Sequence, residues 1–411
     1  MTYRTLAGAF VCLALATISI AGSALAQEPD TTAAAPADTA ETLEELEERL
    51  LGELGEADTS RAAEAARTTQ QAGTLNPDIS LIGDFVADLS PEESTLEEGD
   101  RFLLREIEIG IQGAVDPYFR YDAFIGFHGE EAEVEEAYAT TLALPAGLQA
   151  RVGKMLLPFG KVNLTHVPEL HTIDLPLLHQ EYFGEEGLAS TGVWLSWLGD
   201  PLGIVQEVSV TATNGAERHG HGEEEEHGEE EHEEEEHGEE RDLLEDLGDR
   251  LWVTHLKNSI DLTPASNLEV GASWGTSAVG EADVRTTLYG LDVTWRWKPP
   301  GREKYRSAIV QAEVAWRDEE DAGETWTGAF LFGQWQLARR WYVGGRYDWV
   351  EPLEAPDEPL QAGQILLRYF PTEFSQLRLA YERRVPDVGD AIDRVLFQTT
   401  FALGPHRPHP F

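Results

Sequence analysis

From Asn76 onward apolar and polar side chains alternate with a period of two, and the pattern persists to the C-terminal end of the chain. That is the period of an extended strand, whose successive side chains point to opposite faces. Sixteen such segments are expected, near 78–87, 102–115, 118–127, 134–144, 148–155, 192–198, 204–214, 251–262, 267–276, 285–298, 307–317, 326–337, 341–350, 360–370, 375–384 and 393–403. Ala308, Val310, Ala312, Val314 and Trp316 fall on one face, with Gln311, Glu313 and Arg317 on the other. In the last segment Val395, Phe397, Phe401 and Leu403 oppose Arg394, Gln398 and Thr400. The chain therefore reads as all-β, and the open question is what its apolar faces meet.

The connections answer it. Tight turns at Asp116-Pro117, Pro145-Ala146-Gly147, Gly199-Asp200-Pro201, Thr263-Pro264-Ala265, Ala338-Arg339-Arg340 and Pro371-Thr372-Glu373 alternate with longer acidic loops. Short turns on one side and long loops on the other are the arrangement of outer-membrane barrels. If the N-terminus is periplasmic, the loops around 88–101, 128–133, 156–191, 215–250, 277–284, 318–325, 351–359 and 385–392 lie outside, and an even strand count returns the C-terminus to the periplasm. The expected fold is a 16-stranded antiparallel transmembrane β-barrel over 76–411. A soluble sandwich or propeller would not need Trp295, Trp297, Trp335, Trp341 and Trp349 near strand ends on the apolar parity, where interfacial aromatic girdles sit.

The N-terminal segment and the composition agree with this compartment. Arg4, the apolar stretch Leu6 to Ile20 and Ala24-Leu25-Ala26 before Gln27 read as a cleavable secretory signal, residues 1–26. The single cysteine, Cys12, lies within it, so the exported chain has no disulfide. Beyond it no apolar run approaches the roughly 20 residues of a membrane helix, although the chain has 11 Trp, 11 Tyr and 15 Phe. A net charge of −46 excludes nucleic acid as a natural partner, because phosphates reward Lys and Arg. Residues 27–75 read as a periplasmic linker with a short amphipathic helix, in which Leu43, Leu46, Leu50 and Leu54 recur at helical spacing. Fewer than three heptads are visible, so a solvated helix and a short oligomerisation coil both remain open.

Three stretches carry a family resemblance. Asn76-Pro77-Asp78-Ile79-Ser80-Leu81-Ile82-Gly83-Asp84-Phe85, Arg151-Val152-Gly153-Lys154-Met155-Leu156-Leu157-Pro158-Phe159-Gly160, and Gly404-Pro405-His406 to Phe411 resemble the phosphate-selective-porin-like (porin O/P-type) outer-membrane barrels. The resemblance covers 76–411 and implies trimeric, 16-stranded channels. Phe411 resembles the terminal aromatic read by the barrel-assembly machinery, but it follows Pro405, Pro408 and His409, a departure from that pattern.

Strand parity sorts the charges that face the lumen. The inward set holds Glu106, Glu108, Asp122, Glu207, Glu269, Asp292, Glu313, Asp348 and Glu382 against Arg120, Arg151, Arg296, Arg317, Arg346, Arg368, Arg378, Arg384 and Arg394. Lysines are few (154, 161, 257, 298 and 304), so the basic ladder associated with phosphate selectivity in the resembled family is missing, and that specificity is not carried over. Carboxylates concentrate in the first eleven strands and arginines in the last four, so opposite walls can carry opposite charge and sort small polar solutes by dipole. Pairing that merely stabilises the barrel is the equal alternative.

The loop 156–191 is long and partly apolar, with Leu156, Leu157, Phe159, Val162, Leu164, Leu175, Leu177 and Leu178. Such a loop must pack somewhere, and a 16-stranded barrel has room inside. It is expected to fold inward as a constriction, which puts Lys161, His166, Glu169, His171, Asp174 and His179 nearest the eyelet. A cap across the mouth or a trimer contact is the alternative. His166, Glu169 and His171 could ligate a metal, though scattered loop histidines are more often simply polar.

The loop 215–250 carries His219, His221, His227, His232 and His237 among runs of glutamate. Imidazole favours zinc, copper and nickel, and dense carboxylate attracts divalent cations, so several interchangeable weak metal sites are expected there. A solvated acidic tract, or one bridged to lipopolysaccharide by calcium or magnesium, is the alternative. Of the function classes, a passive porin-like channel without a required cofactor leads. An outer-membrane metal (zinc) uptake or sensing receptor and a structural tether follow. A TonB-dependent receptor would need about 22 strands and a plug. No Ser/His/Asp set declares a hydrolase.

Overall fold

The computed structural model describes residues 77–404 apart from 92, 93, 97, 98, 130, 202, 216–249, 280–283, 321 and 322. The expected signal, linker and N-terminal helix, and the five histidines 219, 221, 227, 232 and 237, lie outside the described residues.

Sixteen antiparallel strands close into one barrel, each hydrogen-bonded to its sequence neighbours, with the first and last strands pairing to seal it. They are β1 (Asp78–Asp88), β2 (Phe102–Ala114), β3 (Phe119–His128), β4 (Glu131–Thr141), β5 (Leu148–Leu156), β6 (Ala189–Gly199), β7 (Val205–Thr213) and β8 (Arg250–Thr263). The remainder are β9 (Ser266–Val279), β10 (Val284–Trp297), β11 (Ala308–Glu319), β12 (Glu324–Ala338), β13 (Trp341–Val350), β14 (Leu360–Thr372), β15 (Ser375–Pro386) and β16 (Ile392–Leu403). Closure gives every strand a hydrogen-bonded neighbour on each side, which is how strand backbone is satisfied in a membrane. No helix among the described residues is long and apolar enough to cross a membrane.

The alternation sorts the faces. Val152, Leu195, Leu291, Ile365 and Phe401 are exposed on the outside, where lipid would meet them. Asp84, Glu108, Asp348, Glu382 and Gln398 are buried on the inside. Of the girdle tryptophans, Trp335 and Trp341 are exposed and stack on Trp297 and Tyr369 with ring centroids 5.3 and 4.4 Å apart, whereas Trp295 is covered.

Two departures from strict alternation matter for the site. The pairing of β1 with β2 skips Arg105, and that of β3 with β4 skips Glu135. Such bulges let neighbouring residues point to the same side. The expected 134–144 strand accordingly runs Glu131–Thr141: pairing starts earlier across the bulge, and the alternating Leu142 and Leu144 continue past the sheet.

Candidate functional site

Between β5 and β6 the chain turns into the barrel instead of over its rim. Asn163 closes the base of this loop: its amide donates to the carbonyls of Leu157 and Leu188 at 2.8 and 2.9 Å and its Oδ1 accepts from the Leu188 amide at 2.7 Å. The chain then makes two short 3-10 turns (Val162–Leu164 and Val167–Glu169) and one helix, α1 (Leu177–Phe183), which starts after Pro176. Phe159, Leu177, Leu178, Tyr182 and Phe183 of the loop are buried in one cluster with the wall residues Leu288, Phe330, Phe332 and Val350. Burial of that apolar area on the wall of β10 to β13 explains why a partly apolar loop enters the lumen. Close approach needs glycine at the meeting points: Gly160 has φ 63°, and a Cβ there would collide with the Glu313 carboxylate.

Polar contacts fix the loop to the rest of the wall. The amides of Lys161 and Val162 donate to Glu313 Oε1 at 2.9 and 2.8 Å, and His179 Nε2 lies 3.3 Å from Glu313 Oε2. Lys161 pairs with Glu269, which also accepts from Arg296 at 2.7 Å. The Leu177 amide donates to Asp348 Oδ1 at 3.2 Å.

Residues 166–174 run between two poles of opposite charge. At the acidic pole, His166 Nδ1 lies 2.6 Å from Glu135 Oε2 and 3.1 Å from Glu108 Oε2, and Nε2 lies 3.0 Å from Glu136 Oε2. Burial alone would lower the imidazole pKa, but the bonds and charges of Glu108, Glu135 and Glu136 outweigh it and hold His166 protonated, well above its ordinary value. Glu169 is pushed up to about 8, chiefly by burial and then by the charges of Glu108 and Glu136, so it is neutral at pH 7.

At the basic pole, Arg378 donates to the carbonyls of Thr172 and Pro168, Arg346 donates to the Asp174 carbonyl at 2.7 Å, and Arg394 pairs with Asp174 Oδ2 at 3.2 Å. Arg368 donates to His171 Nδ1 at 2.8 Å, and Arg105, freed by its bulge, donates to the Ile173 carbonyl at 2.7 Å while paired with Asp84. Burial and then Arg368 hold His171 well below its ordinary value, hence neutral.

All ten residues expected to line the pore thus sit inside the barrel or on its inward loop, but they divide. Arg346, Arg368, Arg378, Arg394, Glu106 and Glu108 are buried around the loop and Lys161 is tied to the wall. Arg120 (with Asp122 and Gln112 as partners at 2.8 and 3.2 Å) and Arg151 (over the rings of Tyr138 and Trp194 at 5.1 and 4.7 Å) stay partly accessible away from it. A cavity of about 240 Å³ remains beside the loop, lined in part by Lys161, Glu169, His171, Arg296, Phe332 and Arg346. Parity missed Glu135, Glu136 and Arg105. The signal was present: Glu135-Glu136 and Arg105-Glu106 put adjacent charges in a strand, where unbroken alternation would press one of each pair into lipid. Among the described residues, Glu108, Glu135 and His166 offer ligand atoms within 4.8 Å of one another.

No family model matches the chain. An uncharacterised protein of Aquifex aeolicus (strain VF5) is 30% identical over 355 residues, which cover 78% of this chain and 72% of that protein. The chain belongs to the same family as that protein. Among solved structures, the outer-membrane channel DcaP of Acinetobacter baumannii superposes with a TM-score of 0.51 at 12% identity, over 80% of this chain and 96% of that one. OmpF of Salmonella typhi, in complex with daunomycin, gives 0.50 at 10% identity over 80% and 97%. At such identities the likeness is one of fold: the chain has a porin-like closed β-barrel.

Proposed function

We propose that the protein is a passive outer-membrane channel for small polar solutes and ions, narrowed by residues 157–188, with no enzymatic activity and no required cofactor. The observation that carries the reading is the position of the loop, which crosses the inside of a closed barrel from Glu108 and Glu136 on one wall to Arg378 and Arg394 on another. A solute passing it meets a field between two fixed poles, which orients dipoles and rewards small size. Membership of the porin O/P type, a homotrimer, lipid and lipopolysaccharide contacts, and insertion by the barrel-assembly machinery after export belong to the same proposal.

The His/Glu tract supplies a second element. Five imidazoles at 219, 221, 227, 232 and 237 among carboxylates suit weak, interchangeable binding of zinc, copper or nickel outside the barrel, which would concentrate cations at the mouth. Active metal uptake of the TonB-dependent type is disfavoured by sixteen strands, against about 22 for such receptors. A structural tether would rest on the helix expected within 41–67, outside the described residues.

Purified protein in planar bilayers should give stepwise conductance, with ion preference read from the reversal potential in a salt gradient. Non-conducting bilayers containing correctly inserted protein would overturn the channel reading. Deleting 219–237 should remove most of the zinc capacity of the full chain; equal capacity in both would remove the metal role of the tract.

A further inference from the structure

At the acidic pole the charges do not cancel. Glu106, Glu108 and Glu136 are 4%, 1% and 5% exposed, and the bulge in β4 turns Glu135 toward them. Among the described residues neither Glu106 nor Glu108 meets a lysine or arginine within ion-pair distance, and the imidazole of His166 is the cationic group in their midst. Oε1 of Glu106 and Oε1 of Glu108 are buried without a hydrogen-bond donor. One imidazolium among these carboxylates leaves them short of counter-charge, which is costly out of water, and buried acceptors without donors add to that cost.

We propose that this pole is a divalent-cation site inside the barrel, in which His166 Nδ1 and the carboxylates of Glu108 and Glu135 hold a first-row transition ion of the zinc class. Glu106 stands by as a further oxygen ligand. The spacing is suitable: Nδ1 lies 3.1 and 2.6 Å from the two carboxylate oxygens. Bond lengths of about 2.0–2.2 Å put the edge of a tetrahedral zinc site near 3.4 Å, so small side-chain movements open the ion's place. The other ring nitrogen is already engaged. Nε2 faces Glu136 Oε2, whose partner oxygen Oε1 accepts from the Leu156 amide at 2.8 Å. That is the carboxylate–histidine arrangement that orients a metal-bound imidazole. The ring also sits against Phe124, with centroids 5.2 Å apart.

The donor set selects the class of ion. Calcium and magnesium prefer all-oxygen shells, and copper(I) prefers sulfur, whereas carboxylates with one imidazole suit zinc, manganese or iron(II). The ion takes the place of the imidazole proton, which leaves to solvent as the metal arrives. Once bound, the ion clamps residue 166 of the inward loop to β2 and β4. This site is separate from the external tract, and its existence does not rest on the channel reading, because binding is measured directly.

The test uses the full chain with His219, His221, His227, His232 and His237 replaced by alanine, folded in detergent and titrated with zinc by calorimetry. One equivalent per chain is expected. Glu108→Gln and Glu135→Gln, both isosteric, should each weaken it by more than about 10-fold, the loss typical of damage to a metal shell. Glu207→Gln, at a wall position away from the pole, should not. Heat-modifiable mobility on gels verifies that each variant holds a barrel, and zinc-edge X-ray absorption on the loaded protein should show oxygen ligands with about one imidazole. No stoichiometric binding, an isotherm unchanged by Glu108→Gln and Glu135→Gln in folded protein, a shell without imidazole, or displacement of zinc by equimolar calcium would each overturn the proposal.

Discussion

The guanidinium of Arg368 donates to Nδ1 of His171 across 2.8 Å, which makes that nitrogen an acceptor and places the ring proton on Nε2. The same ring lies flat on Phe332, with centroids 5.5 Å apart and planes 8° apart. The other acceptors of Arg368 are the amide oxygens of Gln334 and Gln376, and its Cζ lies 5.3 Å from the Phe370 ring centroid, so the charge is held by neutral groups. His171→Phe keeps the stack and removes one acceptor. It should destabilise the folded barrel by about 1–3 kcal/mol, the cost of leaving a buried donor unmet. Denaturant unfolding in detergent measures this, and a midpoint equal to wild type would remove the role given to the imidazole.

Arg378 is the other neutral-partnered guanidinium of the basic pole. It is 1% exposed and holds the carbonyls of Pro168 and Thr172 together, so it grips the loop by backbone. Arg378→Ala leaves both carbonyls without that donor and should loosen the loop while the strands stay paired. The expected result is larger or noisier single-channel steps and faster protease cleavage within 157–188, with unchanged barrel mobility on gels. Lysine at 378 should restore only part of the wild-type behaviour, since one ammonium does not reproduce a fork.

Much of this was legible in the alternation. Strand number and order follow from period and turn chemistry, and strand parity puts Arg346, Arg368, Arg378 and Arg394 on the polar, inward face. The inward loop was legible from Leu157 to Leu178, whose apolar side chains had to be covered. The pairing across the barrel was not. Arg378 and Pro168 are far apart in sequence, and no local pattern says which carbonyl a given arginine will reach. The acidic pole was hidden for a different reason: a single skipped residue at Glu135 changes the facing of its neighbours, so parity counted along the strand fails just where the charges gather.

Asp174 gives a pH window for the basic pole. Burial would raise its pKa, but Arg394 at 3.2 Å, Arg346 and Arg384 at 3.7 Å together hold it below the ordinary value of 3.8. Because the folded-state value is the lower one, the stabilisation is fully present above the unfolded value and is lost as pH falls through the depressed one. Wild type minus Asp174→Asn should therefore show a constant stability difference from pH 7 to about 5 that shrinks only below about 4. A difference that already collapses near pH 6 would show that another group carries the linkage.

The apolar side of the loop is tested at Gly290 and Phe159. A methyl group at 290 would stand 2.9 and 3.0 Å from Cζ and Cε1 of Phe159, a ring that is 2% exposed and packed edge-on against Phe183 at 5.1 Å. Gly290→Ala should cost about 1–3 kcal/mol by overpacking. Phe159→Leu alone should also destabilise, because it vacates part of a buried site. Together they should cost clearly less than the sum, since the smaller side chain makes room for the methyl. Contacting residues commonly couple by about 0.5–3 kcal/mol, whereas distant ones add to within about 0.5 kcal/mol. Denaturant midpoints of the two singles and the double in detergent decide between them. Additive losses would mean that Phe159 does not rest on β10 in the folded protein, and that the loop does not enter the barrel along this wall.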